Sequence, residues 1–219
     1  MHAMVQGCAV ALLVLLATAS SAAEPVHDAA LLDRLVAAQQ GHTTVQGRLR
    51  WLTSRTDDAD TPAREQHVRF FLAFPQRYHV VVTKPDDKES KTSFISDGTT
   101  RWELTQFIEG EAPDVKKAPV GGDDEFEQRL LACFRFDLAA LRKDFTVVAT
   151  PAGDGALITL APTAAKLKDQ LTVLVLTFDA AHRLTAIRSD DPQGNRHVFA
   201  VGEATYDQPL DDALFRVAP

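Results

Sequence analysis

The sequence predicts an α+β fold in which an antiparallel sheet carries helices gathered on one face. Three observations lead there. Hydrophobic spacing is helical near the start, alternating from residue 44, helical again from residue 123, and alternating once more from residue 145. Turn-forming clusters such as Asp97-Gly98, "PAGDG" and "DPQGN" separate the alternating runs, which is hairpin material. No repeat or low-complexity block interrupts the order helix, strands, helices, strands.

In "HDAALLDRLVAAQQGH", Leu31, Leu32, Leu35 and Val36 share one helical face, Asp28 is placed to cap the start and Gly41 to end it. From Thr44 to Thr53, Val45, Leu49 and Trp51 alternate with polar residues as in a half-buried strand. "SRTDDADTPARE" reads as a loop. The following "HVRFFLAFPQRYHVVVTKPDDKES" reads as two strands broken at Phe74-Pro75-Gln76, because proline offers no ladder donor. Tyr78, Val80 and Val82 share one face of the second. In "SFISDGTTRWEL", Asp97-Gly98 supplies the positive φ of a tight turn, with Phe94 and Trp102 on its two legs. Residues 109–122 read as an irregular exposed connection.

From Asp123 the stripe Phe126, Leu130, Leu131 and Phe134 predicts a helix, with Asp123, Asp124 and Glu125 in a first turn where the helix dipole favours acids. Asp137 is placed to cap a second short helix, "LAALRK". The remaining strands are "FTVVAT", "GALITLAP", "LTVLVLTFD", "RLTAIRSD" and "RHVFAVGEA".

The first 23 residues read as a secretory signal: the apolar run Ala9–Ala17 is too short to span a bilayer, and Ser21-Ala22-Ala23 is a small-residue cleavage site. The expected product begins near Glu24, spans 24–219 as one domain, and is soluble and exported. All of the net charge of -7 falls on that part, which argues against nucleic acid and anionic membrane surfaces as main partners. Cys133 is its one cysteine, so it forms no internal disulfide, and its apolar neighbours suggest a buried, inert thiol.

Chemistry is hard to find in this chain. The histidines after the signal, at 27, 42, 67, 79, 182 and 197, show no supported metal-ligand spacing, and His79 and His197 read as solvent-facing. No G-x-S-x-G, P-loop or G-x-G-x-x-G occurs, and the carboxylates cluster in loops as a solvated surface. The expectation is no enzyme, no metal and no cofactor. What stands out is the apolar sheet: Tyr78, Val80, Val82, Phe94, Leu174, Leu176, Phe178, Phe199 and Val201. Two packings fit it. The helices can seat on it as ordinary core, or the sheet can bend around an apolar cavity with the helices as a lid.

The stretch "FFLAFPQRYHVVVTKPDDKESKTSFISDGTTRWEL" resembles the LolA-like periplasmic carriers of outer-membrane lipoproteins, in its strand ending in proline, short strand, and "DG" hairpin with a returning tryptophan. The resemblance continues over "RFDLAALRKDFTV", "LTFDAAHRLTAI" and "GNRHVFAVGEATYDQPLDDALFRV". It implies a strongly curved, incomplete β-barrel whose concave face is covered by helices and holds acyl chains in transit. The cargo passes from an inner-membrane release complex to an outer-membrane receptor, and the carrier acts as a periplasmic monomer without a catalytic group. Carried over, the wall is Tyr78, Val80, Val82, Phe94, Trp102, Leu174, Leu176 and Phe178. The lid is Leu32, Leu35 and Val36 with Leu130, Leu131 and Phe134. Phe74 stands where well-studied carriers have a lid-bonding arginine, with Arg77 and Arg101 the nearest substitutes. The resemblance leaves a second expectation, a lipid-sensing or envelope-stress module that binds a membrane-protein partner. Such sensors carry a further domain, and the end at Pro219 favours the carrier.

Overall fold

The structure, a computed structural model, describes residues 27–58, 61–120 and 126–217. The expected signal at 1–23 and the acidic turn Asp123, Asp124 and Glu125 lie outside the described residues. Helix α1 (Ala29–Gln40) precedes six strands: β1 (Thr44–Arg55), β2 (Arg64–Ala73), β3 (Arg77–Lys84), β4 (Asp87–Asp97), β5 (Thr100–Gln106) and β6 (Asp114–Pro119). Helices α2 (Phe126–Arg135) and α3 (Leu138–Asp144) follow, then β7 (Phe145–Ala152), β8 (Gly155–Pro162), the short α4 (Ala165–Lys168), β9 (Val173–Phe178), β10 (Leu184–Asp190) and β11 (Asn195–Tyr206). A 3-10 turn, Asp212–Phe215, comes near the end.

All eleven strands form one antiparallel sheet in the order β6-β5-β4-β3-β2-β1-β11-β10-β9-β8-β7. The sheet is not closed into a barrel, since β6 and β7 are its two edges. This topology fixes where the helices go. The chain meanders outward from β1 to β6, must then cross the whole sheet to reach β7, and meanders back until β11 pairs with β1. The connection from β6 to β7 contains α2 and α3, so they lie across the concave face. Twist accumulated over eleven strands, with bulges at Arg48/Leu49, Thr83/Lys84 and Leu184/Ala186, gives the sheet its curvature.

Local chemistry explains the helix boundaries. Asp28 accepts from the Leu31 amide at 2.9 Å and Asp137 from the Ala140 amide at 3.0 Å, each satisfying a donor that the first helical turn leaves open. Helix α1 also closes one sheet edge. The Asp28 amide donates to the Ala149 carbonyl at 2.8 Å, and the Ala149 amide donates to His27 Nδ1 at 3.2 Å, so β7 has backbone groups occupied where another strand would add.

Two expectations need correction. Residues 109–122 are not wholly irregular, since Asp114–Pro119 pairs with β5 as the edge strand β6. Its flanking prolines, two lysines and exposed residues hide an edge strand from a reading based on hydrophobic alternation. His79 and His197 are both half-buried, for reasons that follow from strand register.

A second, smaller apolar cluster lies on the convex face. There Phe215 is buried with Phe71 and Ala73, with Leu210 and Leu214 packed around them. The Arg77 guanidinium stands 4.9 Å from the centre of the Phe215 ring and bonds Asp212 at 2.7 Å. His79 shares this face with Phe71 and Ile95. Burial beneath the turn, reinforced by the Arg69 charge and partly offset by a hydrogen bond with the Leu214 backbone, holds its pKa below the ordinary histidine value.

Candidate functional site: a covered apolar wall

Register alone assembles the wall. Reading across directly opposed residues, Leu72 meets Tyr78, Phe70 meets Val80 and Val80 meets Phe94. In the other half of the sheet Leu160 meets Leu174, Ile158 meets Leu176, and Leu176 meets Ile187. Opposed residues share a face, so these rows form one continuous apolar surface on the side that the crossover helices cover. Tyr78, Val80, Val82, Leu176 and Phe178 are buried, and Phe94 and Leu174 are half-buried and packed on the same cluster.

The sequence-derived lid residues meet this surface. Leu32 and Leu35 of α1 and Leu130, Leu131 and Phe134 of α2 are buried in the same cluster, with Val36 partly buried against it. The Phe134 ring lies 5.0 Å from Phe70, and Phe136 contacts Phe178 edge-on at 5.7 Å. In this conformation the concave face is therefore occupied by the protein's own side chains.

Trp102 does not belong to the wall. It is registered opposite Ile95 and Lys117, on the convex side, with the Lys117 ammonium 5.9 Å from its ring. The parity of the Asp97-Gly98 hairpin decides this, because pairing Phe94 with Glu103 sends the next residue to the other face. The wall changes character there. Beyond Phe94 the same face carries Arg101, Glu103 and Lys116. The Arg101 guanidinium lies 5.2 Å from the Phe94 ring, and Lys116 reaches Glu103 at 3.3 Å. An apolar surface thus ends in a charged ledge.

One strand-end rim in the middle of the sheet is polar as well. His197 lies on the concave side opposite Thr53, within 3.0 Å of the Thr53 hydroxyl, and Trp51 Nε1 donates to its Nδ1 at 3.4 Å. Near it, Thr53, Arg64, Gln66, Lys84, Asp86 and Asp87 line a cavity of about 670 Å³. The acidic turn "PDDKES" thus borders this cavity at the rim of the sheet.

The Phe74 question has a structural answer for one of its two substitutes. Arg77 faces the convex side and is engaged by Asp212, so it serves the C-terminal turn and not the lid. Polar bonds to α1 come from elsewhere: Gln39 Nε2 donates to the His182 carbonyl at 2.5 Å, complementing the Asp28 tie to β7.

Sequence reading misses Phe136, which is fully buried at a φ of +48°. Its signal is an aromatic standing immediately before the capping Asp137. The ledge is missed as well, because polar residues on an alternating strand look like a solvent face.

A sequence-family model described as "Outer membrane lipoprotein carrier protein LolA" matches residues 54–218. The chain belongs to the LolA family. A search of curated proteins found no match. Solved structures similar to this LolA family member include a LolA superfamily protein from Nitrosomonas europaea, with 12% identity, 88% of this chain and 98% of that one covered, and a TM-score of 0.45. A DUF1329 family protein from Desulfovibrio piger follows at 13% identity, with 85% and 95% covered and a TM-score of 0.43. The MucA/MucB complex of Pseudomonas aeruginosa gives 12% identity, 84% and 59% covered, and a TM-score of 0.41. Membership of the LolA family rests on the match at 54–218.

Proposed function

We propose that this protein is an exported carrier that holds the acyl chains of a lipoprotein, or of a related lipid, against the covered apolar wall within the periplasm. Its domain is residues 24–219, released from the signal at 1–23. It receives cargo from an inner-membrane release complex and delivers it to an outer-membrane receptor, acting as a monomer and without catalysis.

One observation carries the reading. A continuous apolar surface from Phe178 to Phe94 is covered by a crossover that meets it through side chains such as Phe134 and Phe136, with charged groups beyond Phe94 and along the strand-end rim formed by β1, β2 and the β3–β4 turn. That sequence of environments suits an amphiphile. Hydrocarbon takes the wall at about 0.8 kcal/mol per buried methylene, and the polar part stays at an end. Because the lid already occupies the wall, the cargo gains only the difference between its own contacts and those of the displaced helices, which keeps binding reversible. Helix α1 is tied to the sheet by polar bonds at both ends. The α2–α3 crossover offers ring contacts that an acyl chain can replace, so it is the part that lifts.

The test is native mass spectrometry of residues 24–219 with a triacylated lipopeptide. A one-to-one adduct that Leu174→Gln weakens, at a half-buried wall position that tolerates the change, supports carriage. A folded protein that forms no adduct ends the reading.

A second reading, a regulatory module that binds a membrane-protein partner, draws on the hairpin between β5 and β6. Phe107, Ile108 and Val115 are its large exposed hydrophobics, 65%, 50% and 53% accessible, and they gather on that one hairpin.

A further inference from the structure

We propose that Arg48 and Arg69 form a binding site for a singly charged oxyanion, a carboxylate or a phosphodiester, on the convex face of the sheet. The two arginines are directly opposed across β1 and β2, in the interior of the sheet and not at an edge. Like charges in that position repel and destabilise a strand pair. Neighbouring cations on this face have a carboxylate: Arg50 lies 3.9 Å and His67 3.2 Å from Glu65. Arg48 and Arg69 make no ion pair with a described residue.

They instead line a cavity of about 170 Å³ together with Gln46, Phe71, Glu203 and Thr205. The site is open to solvent, since Arg48, Arg69, Glu203 and Thr205 are all exposed, and register explains the arrangement. Thr205, Gln46 and Phe71 form one row across three strands, and Glu203, Arg48 and Arg69 form the next, beside the bulge at Arg48/Leu49. The Arg69 guanidinium lies 4.8 Å from the Phe71 ring centre, so its plane is braced while its edge keeps its donors. The Gln46 amide and Thr205 hydroxyl add neutral donors.

Glu203 sets the charge of the occupant. With one carboxylate against two guanidiniums the lining carries a single excess positive charge, which a monoanion neutralises, whereas a dianion leaves one of its charges uncompensated. The wall and its lid take no part, so this site stands apart from acyl carriage.

The experiment is a titration of isotope-labelled residues 24–219 at about pH 8, where inorganic phosphate is mainly the dianion, followed by backbone amide resonances, with sodium acetate, dimethyl phosphate and inorganic phosphate. Sodium chloride at matched ionic strength is the control. Saturable shifts confined to residues 46–48, 69–71 and 203–205 are expected from at least one monoanion, with about tenfold weaker binding in Arg69→Gln and no change in Arg50→Gln. Acetate as the stronger probe identifies a carboxylate, and dimethyl phosphate a phosphodiester. Should Arg69→Gln fail to fold, Arg48→Lys keeps the charge, loses the fork and should still weaken binding. Absence of saturation with both monoanions, or undiminished binding in the Arg48 or Arg69 variant, overturns the proposal.

Discussion

Phe136 meets Phe178 edge-on at 5.7 Å, and it does so from a backbone φ of +48°, a conformation that bulky residues rarely adopt. The corner between α2 and α3 thus holds strain in exchange for a ring on the wall. Phe136→Ala should lose about 3–5 kcal/mol, since it removes the ring and keeps the strain. Phe136→Gly removes the same ring but relaxes the backbone, and should be about 1 kcal/mol more stable than the alanine variant. Urea unfolding of the two variants checks the order, which is the reverse of that in an ordinary helix or strand.

Two glycines should respond in opposite ways to the same change. A Cβ on Gly47 would stand 2.0 Å from the Glu203 carbonyl oxygen and 2.9 Å from Phe70, where β1, β2 and β11 meet at the bulge. Gly47→Ala should cost more than about 3 kcal/mol or prevent folding. Nothing lies within 4 Å of a Cβ on Gly41, which ends α1 at an ordinary φ of -77°. Gly41→Ala should be neutral or stabilise by up to about 1 kcal/mol through the unfolded chain. Thermal melts of the pair decide it.

Elements with strong periodicity are legible in the amino-acid sequence. Asp28, Leu31, Leu32 and Leu35 mark α1 and its buried face, Asp137 marks the start of α3, and Asp97-Gly98 marks the hairpin. Register is not legible at single-residue resolution. Placing Trp102 beside Phe94 is an error of one position, and in a strand that error inverts the face. β6 escapes notice because an exposed edge strand protected by proline and lysine lacks an apolar face. Polar neighbours in sequence make His79 and His197 look exposed, whereas their burial comes from distant segments: the C-terminal turn for one, and Trp51 and Thr53 on a paired strand for the other.

His79 should make stability depend on pH. Its folded pKa is depressed, chiefly by burial, so the unfolded chain binds the proton more readily. The stability it contributes is fully present above the unfolded value of about 6.5 and is lost as pH falls through that value toward the folded pKa. Urea unfolding between pH 5 and pH 8 should show a decline on the acid side that His79→Gln reduces. A decline of equal steepness in the variant assigns it to other groups.

Cys133 provides the most direct test of the lid, since it is the one cysteine of residues 24–219 and is 4% exposed on α2 beside the wall. The measurement is its rate of reaction with an aromatic disulfide reagent, with and without a triacylated lipopeptide. If acyl chains take the place of α2 on the wall, the lipopeptide should raise the rate at least about tenfold while the protein stays folded. A bound lipopeptide that leaves the rate unchanged would contradict the account.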